Sequence, residues 1–427
     1  MTAIVVILAL FVLVLINVPI AISIGIVATS GMVYKHGMDS IFNMALTMFD
    51  GATNFPLLAI PLFILAGALM NTSSISRRLI SFISSLIGFV RGGLAMVNVG
   101  VSMFFAEISG SAVADVAAIG SVLIPAMKKR GYSAPFAAAI TSSSASLAII
   151  IPPSITMILY GALSDTSIVQ LFVAGIIPGV LGGFAMMGMC YYFAIKYDLP
   201  REESFSLTRV WGAFKDSFFA LLLPVIILGG IFGGLVTATE GAGLAVVAAL
   251  LIGGFVYHDM NMKLLHKALI EGVVQTSVVM LLVATSAVLG HFLTEIEVPQ
   301  RLAQWIISVT DNKWAVLAML NVLLFILGMF LHGAAAIILV VPIVLPLIQQ
   351  VGVDPIQFGL IVTLNIAIGQ QTPPVASVLV TSCSIAKADI WEVTKVNIPL
   401  IGVLFAVLMM VTYLPDIPLS LVRLFYG

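Results

Sequence analysis

Apolar runs of membrane-crossing length recur along the chain, near 3–33, 55–70, 168–195, 217–235, 241–257, 271–292 and 396–414. A bilayer core takes about 20 apolar residues of helix, so each run predicts a spanning helix. The first is long enough for one kinked helix or two short ones, with Asn17 and Pro19 at the break. Segments 37–54 and 259–270 mix polar and apolar positions, and each precedes a long apolar run. Both predict amphipathic pieces lying along the interface. The longest polar stretch, 196–216, predicts a linker between two halves.

Four further apolar segments are interrupted in ways a simple span does not tolerate. Residues 92–127 are broken by Glu107-Ile108-Ser109-Gly110-Ser111, and 314–348 by Leu331-His332-Gly333-Ala334. Arms of about 16 residues are short for a span, which predicts re-entrant hairpins with small, polar tips. Residues 135–163 are broken at Ile151-Pro152-Pro153, and 355–385 at Gly369-Gln370-Gln371-Thr372-Pro373-Pro374. Proline removes a donor and restricts the residue before it, so paired prolines predict an unwound helix with freed carbonyls.

These interruptions are the same design written twice. The Pro-Pro pairs lie 221 residues apart, as do Pro125 and Pro346, Gly131 and Gly352, and Pro178 and Pro399. Arg78-Leu79 and Arg301-Leu302 keep an offset of 223, as do Gly110 and Gly333. Two repeats with helices broken at equivalent places point to a secondary transporter.

Composition narrows the class. Apolar residues make up 61% of the chain and charged residues 9%, against roughly 25% charged in soluble proteins. Most of the surface must face lipid or membrane protein. The net charge of −1 gives no basic footprint for nucleic acid. Residues 1–16 lack a basic leader and a clear cleavage site, which favours a retained helix. Charge also predicts orientation. Lys128-Lys129-Arg130 follows the first hairpin, while uncharged Gln349-Gln350-Val351 follows the second. By the positive-inside rule the first loop is cytoplasmic and the second external, so the repeats are inverted. Arg301 and Lys313 run against this count.

The chemistry should sit where tips and breaks meet near the midplane. Helix N-termini there present N–H groups to anions, while freed carbonyls and hydroxyls suit a small cation. The candidates are Ser109, Gly110, Ser111 and Asp115 from the first hairpin, and Ser143, Ser144, Ile151 and Pro152 from its broken helix. The second repeat offers Gly333 at the tip, with Asn365, Gly369, Gln371 and Thr372 at the break. Hard oxygen donors suit an alkali cation rather than zinc or copper. Small hydroxyl residues also serve helix packing alone. Buried carboxylates such as Asp115 and Glu107 are costly and therefore stronger signals. No zinc-binding His-Glu-x-x-His and no phosphate-cradling Gly-x-x-x-x-Gly-Lys is present, so enzyme chemistry and direct nucleotide coupling find no support.

The stretch from Ser109 to Gly120, then Ile124-Pro125 and Lys129-Arg130-Gly131-Tyr132, resembles the first hairpin of the large membrane subunit of tripartite ATP-independent periplasmic (TRAP) transporters. Ile151-Pro152-Pro153-Ser154 and Thr372-Pro373-Pro374-Val375 resemble that family's two helix breaks. The resemblance covers essentially the whole chain. It implies an all-α polytopic protein of the bacterial inner membrane, with an inverted-repeat ion-transporter elevator fold. It implies sodium-driven import of an acidic solute, a C4-dicarboxylate or a sialic acid. A periplasmic binding protein would deliver the solute, and a separate four-helix membrane subunit would support the chain. No cofactor is implied beyond sodium as coupling ion. The mobile unit would comprise 91–165 and 313–390, with scaffold and arm helices at 1–90 and 166–312 and a C-terminal helix and tail at 391–427. Sodium would take Ser109, Gly110, Asp115, Ser144, Ile151, Pro152, Gly333, Gly369, Gln371 and Thr372. The solute would take Ser111, Ser143, Ser154, Thr156, Ala334 and Asn365. The rival reading is a stand-alone sodium/carboxylate symporter or cation/proton antiporter of the same superfold. An intramembrane enzyme or a channel is more distant.

Overall fold

The computed structural model describes residues 3–16, 18–201 and 204–427. The described chain is helical, and eight of its helices are long and apolar enough to cross a membrane. The first apolar run is two helices, Ala3–Leu15 and Ile20–His36. Pro19 stands just ahead of the second, where its missing N–H breaks no helical bond. Asn17, the other residue expected at that break, lies outside the described residues.

Segment 37–54 forms the helix Ser40–Ala52, which buries Ser40 and Met44 and leaves most other positions exposed. Its expected counterpart is different. Residues 259–270 are not a separate interfacial piece, because Met262–Glu295 runs unbroken for 34 residues. No proline interrupts it, and at about 1.5 Å per residue it outreaches the bilayer core. Lys263, His266 and Lys267 are therefore one end of a spanning helix. The linker is also shorter than composition predicts. Ser206 accepts a hydrogen bond from Arg209 N at 3.4 Å and caps a helix over Leu207–Phe232.

Both hairpins are present. Gly93–Ser109 and Ala112–Lys129 flank a turn at Gly110-Ser111, and Lys313–Phe330 and Gly333–Gln350 flank Leu331-His332. Each second arm ends at a left-handed glycine, Gly131 with φ 89° and Gly352 with φ 65°. The turns are not copies: Gly110 has φ 57°, while Gly333 already belongs to the following helix.

Both Pro-Pro segments break a helix. Ala134–Ala145 tightens into a 3-10 turn at Ser146–Ile149, loses helical structure and resumes as Ile155–Ser164. Pro355–Gly369 stops and resumes as Ser377–Ala386. Both Pro-Pro bonds are cis.

Packing crosses between the repeats. Ile155–Ser164 lies on the second arm of hairpin 2, and Ser377–Ala386 lies on the second arm of hairpin 1. Ile168–Lys196 and Ile390–Tyr413 close over the broken helices. A second layer is built on Met262–Glu295, which packs against Ile20–His36, Ser40–Ala52 and Ala59–Thr72. Two short amphipathic helices, Ile75–Ile87 and Val298–Val309, lead into the hairpins and carry the matched Arg-Leu pairs.

Candidate functional site at the helix breaks

The two breaks meet through a buried polar cluster. Ser143 Oγ donates to Gln371 Oε1 at 2.9 Å, and Asn397 Nδ2 donates to the same oxygen at 3.0 Å. Ser143 also bonds Asn397 Oδ1, and Gln371 Nε2 donates to Ser146 Oγ. All four side chains are fully buried. Such a cluster specifies one crossing geometry, because each group would be costly to strand in an apolar interior.

Both hairpin tips are seated on this crossing. A Cβ built on Gly110 would lie 3.0 Å from Pro153 O and 3.1 Å from Ile155 N. One built on Gly333 would lie 2.7 Å from Gln370 Nε2 and 3.3 Å from Thr156 Cγ2. The start of Ile155–Ser164 therefore adjoins both tips. Ala376 N donates to Met329 O at 3.4 Å, which sets the start of Ser377–Ala386 beside hairpin 2. Helix N-termini carry partial positive charge and unpaired N–H groups, a fitting surface for an anion.

The individual candidates fall into four groups. Gly110, Ser111, Gly333, Ala334, Ser154 and Thr156 lie at or beside the tips; Ser154 Oγ donates to Ile149 O at 2.8 Å and contacts Thr156 Oγ1 at 2.7 Å. Ser143 and Gln371, assigned above to solute and to sodium, share one cluster. Ser144 and Asn365 turn away to the first arms of the hairpins. Ser144 donates to Asn98 Oδ1 at 3.2 Å and accepts from Ser102 Oγ at 2.8 Å, while Asn365 Nδ2 donates to Asn321 Oδ1 at 2.6 Å.

The remaining candidates shape the breaks. Ile151 N donates to Leu147 O at 2.8 Å, and Pro152 follows it in the loop. Gly369 meets the backbone of Gly328, and Thr372 Oγ1 donates to Ile368 O at 3.1 Å. Asp115 is fully buried in the first turn of Ala112–Lys129, where the helix end favours a carboxylate. It is the one charged side chain among the described residues in the buried class. The side chains of Ser109 and Glu107 lie outside the described residues. The donors at the breaks are hydroxyl, amide and carbonyl oxygens, a set that fits a hard alkali cation.

Sequence reasoning missed Asn98, Asn321, Ser146 and Asn397. Asn98 and Asn321 carry the same offset of 223 as Gly110 and Gly333, so a signal was present. Asn397 has none: the residue 221 positions earlier is Ile176.

A family model described as "Tripartite ATP-independent periplasmic transporter, DctM component" matches residues 7–417. The chain is 41% identical over 383 residues to the isethionate TRAP transporter permease protein DctMQ of Oleidesulfovibrio alaskensis. That match covers 90% of this chain but spans 60% of that relative's length. Against the C4-dicarboxylate TRAP transporter large permease protein DctM of Pseudomonas aeruginosa the identity is 37% over 383 residues, covering 90% of each. Among solved structures, the YdaH transporter of Alcanivorax borkumensis aligns over 90% of both chains with a TM-score of 0.62. At 14% identity that likeness is one of fold.

Proposed function

From the premise that this chain belongs to the DctM component family of tripartite ATP-independent periplasmic transporters, we propose that it imports an acidic organic solute by sodium-coupled secondary transport. Membership makes it a multi-pass permease of the bacterial inner membrane and not an enzyme. In our reading a periplasmic binding protein hands over the solute, and a small four-helix membrane subunit stands beside this chain. Relatives named for isethionate and for C4-dicarboxylates support an organic acid as cargo, since both are anions. Sialic acid is an anion of the same kind.

The observation that carries the proposal is the crossing of the two breaks, locked by Ser143, Ser146, Gln371 and Asn397 and touched by both tips. Helix N-termini facing the tips suit the solute's acid group, and the oxygens around them suit sodium. The unit at 91–165 and 313–390 moves against the helices at 217–257 and the companion subunit. The solute's own acid group makes the ion necessary, because an anion is costly to carry through the apolar interior without a countercharge. Sodium therefore binds before or together with the anionic solute.

The test is uptake of labelled C4-dicarboxylate, isethionate and sialic acid into proteoliposomes containing this chain and the companion subunit. Uptake of one of them should need both an inward sodium gradient and the binding protein. Full uptake with potassium in place of sodium, or with ATP alone, contradicts the coupling. Full uptake without the binding protein favours the stand-alone symporter.

A further inference from the structure

One cavity takes no part in the transport chemistry above. It has a volume of about 510 Å3 and lies between Ile75–Ile87, the end of hairpin 1 and residues 204–213. That is the size of a small-molecule pocket, roughly 300–1,000 Å3. Arg77, Lys129, Arg130 and Arg209 stand around it. Among the described residues, Arg77 and Lys129 have no hydrogen-bond or ion-pair partner. Their neighbours do: Arg78 pairs with Asp216, and Arg91 with Asp198. The cavity thus brings together two cations, Arg77 and Lys129, that the described residues leave unmatched.

Its lining is also apolar, with Leu94, Val122 and Leu123. Phe89 and Phe205 line it too, in edge contact at 5.1 Å and 41% and 52% exposed. Nearby, Trp211 stacks on Phe214, and Lys215 lies 5.3 Å over the indole. Exposed aromatics next to cations mark the headgroup level of a membrane, and the clustered Arg and Lys mark its cytoplasmic side. A free anion would need the cations alone. Cations and exposed hydrocarbon lining one cavity fit a molecule with both.

We propose that this cavity binds the phosphate headgroup of an anionic phospholipid of the cytoplasmic leaflet, with an acyl chain lying along Phe89 and Val122. Basic pockets between membrane helices on that side hold such headgroups by the same charge complementarity. Hairpin 1 forms one wall and the short helix with the linker forms the other, so the lipid bridges two parts of the chain. The binding itself does not depend on the transport reading, and its test measures binding only.

The purified full chain in detergent is titrated with palmitoyl-oleoyl phosphatidylglycerol, with the matching phosphatidylcholine, and with inorganic phosphate as competitor, read by native mass spectrometry. Phosphatidylglycerol should be retained preferentially and should resist excess phosphate. The double variant Arg77→Ala/Lys129→Ala should weaken retention by about thirtyfold, the effect of two near-surface cations, while Arg77→Lys/Lys129→Arg keeps it. Equal retention of both lipids, or unchanged retention in the alanine variant, overturns the proposal. Displacement by phosphate also overturns it, by making the cavity a free-anion site. A phosphatidylglycerol carrying a diazirine on its acyl chain should cross-link Phe89 or Val122 in the unmodified chain. Cross-links found only elsewhere overturn the site, and this arm needs no variant to fold.

Discussion

Ser146 Oγ donates to the carbonyl oxygen of Ala367 at 3.3 Å, and the two residues are 221 positions apart. That is the offset relating the Pro-Pro pairs, so each residue is the other's counterpart in the duplicated chain. A residue can touch its own counterpart only close to the axis that relates the two copies. The axis therefore passes through the crossing of the breaks, between the hairpin tips. The duplication is thus more than a historical trace, because its centre is where the candidate site is assembled.

The symmetry predicts matched costs on the two sides. Asn98 serves Ser144 and Thr141, and Asn321 serves Asn365 and Thr412. Asn98→Ala and Asn321→Ala each remove two buried side-chain hydrogen bonds, at roughly 0.5–1.5 kcal/mol per bond. Thermal unfolding of the purified chain should show similar losses for the two variants. A loss in one and none in the other would show that only one repeat relies on its buried pair.

Gln371 joins the repeats more directly than any other candidate. Gln371→Ala removes three buried hydrogen bonds, to Ser143, Ser146 and Asn397, at roughly 0.5–1.5 kcal/mol each. The variant should insert in the membrane, melt at lower temperature and transport poorly. Parental melting and uptake would mean the cluster does not hold the crossing.

Room for a side chain separates two glycines. A Cβ on Gly369 would lie 2.5–2.6 Å from the backbone of Gly328, whereas one on Gly402 meets nothing within 4 Å. Gly369→Ala must push two helix backbones apart, at about 1–3 kcal/mol or more. Gly402→Ala should be neutral or slightly stabilising, by about 0.5–1 kcal/mol. Melting curves compare them, and equal effects would contradict the close approach.

The breaks and hairpins were legible because Gly, Pro and small polar residues interrupt long apolar runs at a fixed offset. The short helices Ile75–Ile87 and Val298–Val309 were not, because their apolar residues form a stripe rather than a run. The continuity of Met262–Glu295 was hidden by a polar start that lies beyond the bilayer core. Ser143 and Gln371 were both legible as candidates, yet not as partners. Spacing along one helix says which residues share a face, not which face of another helix it meets. Ser146 and Asn397 are single polar residues whose meaning comes only from that meeting.

Sodium dependence should respond in both repeats. Asp115 is buried beside the first tip, and Thr372 holds the second break through Ile368 O. Asp115→Ala and Thr372→Ala should each raise the sodium concentration for half-maximal uptake by about tenfold, through lost or loosened oxygen ligands. An unchanged sodium response in both variants would place the ion elsewhere.

The central claim is that two inverted repeats expose their tips alternately, under the control of sodium. The most direct measurement places one cysteine at Ser111 or at Ala334, in a chain from which buried Cys190 and Cys383 have been removed. A membrane-impermeant thiol reagent is added from the external side, with and without sodium, and labelling rates are compared. The account predicts that Ala334→Cys is labelled far faster than Ser111→Cys, and that sodium changes the accessibility of Ser111→Cys. Equal labelling of both positions from one side at every sodium concentration would contradict it.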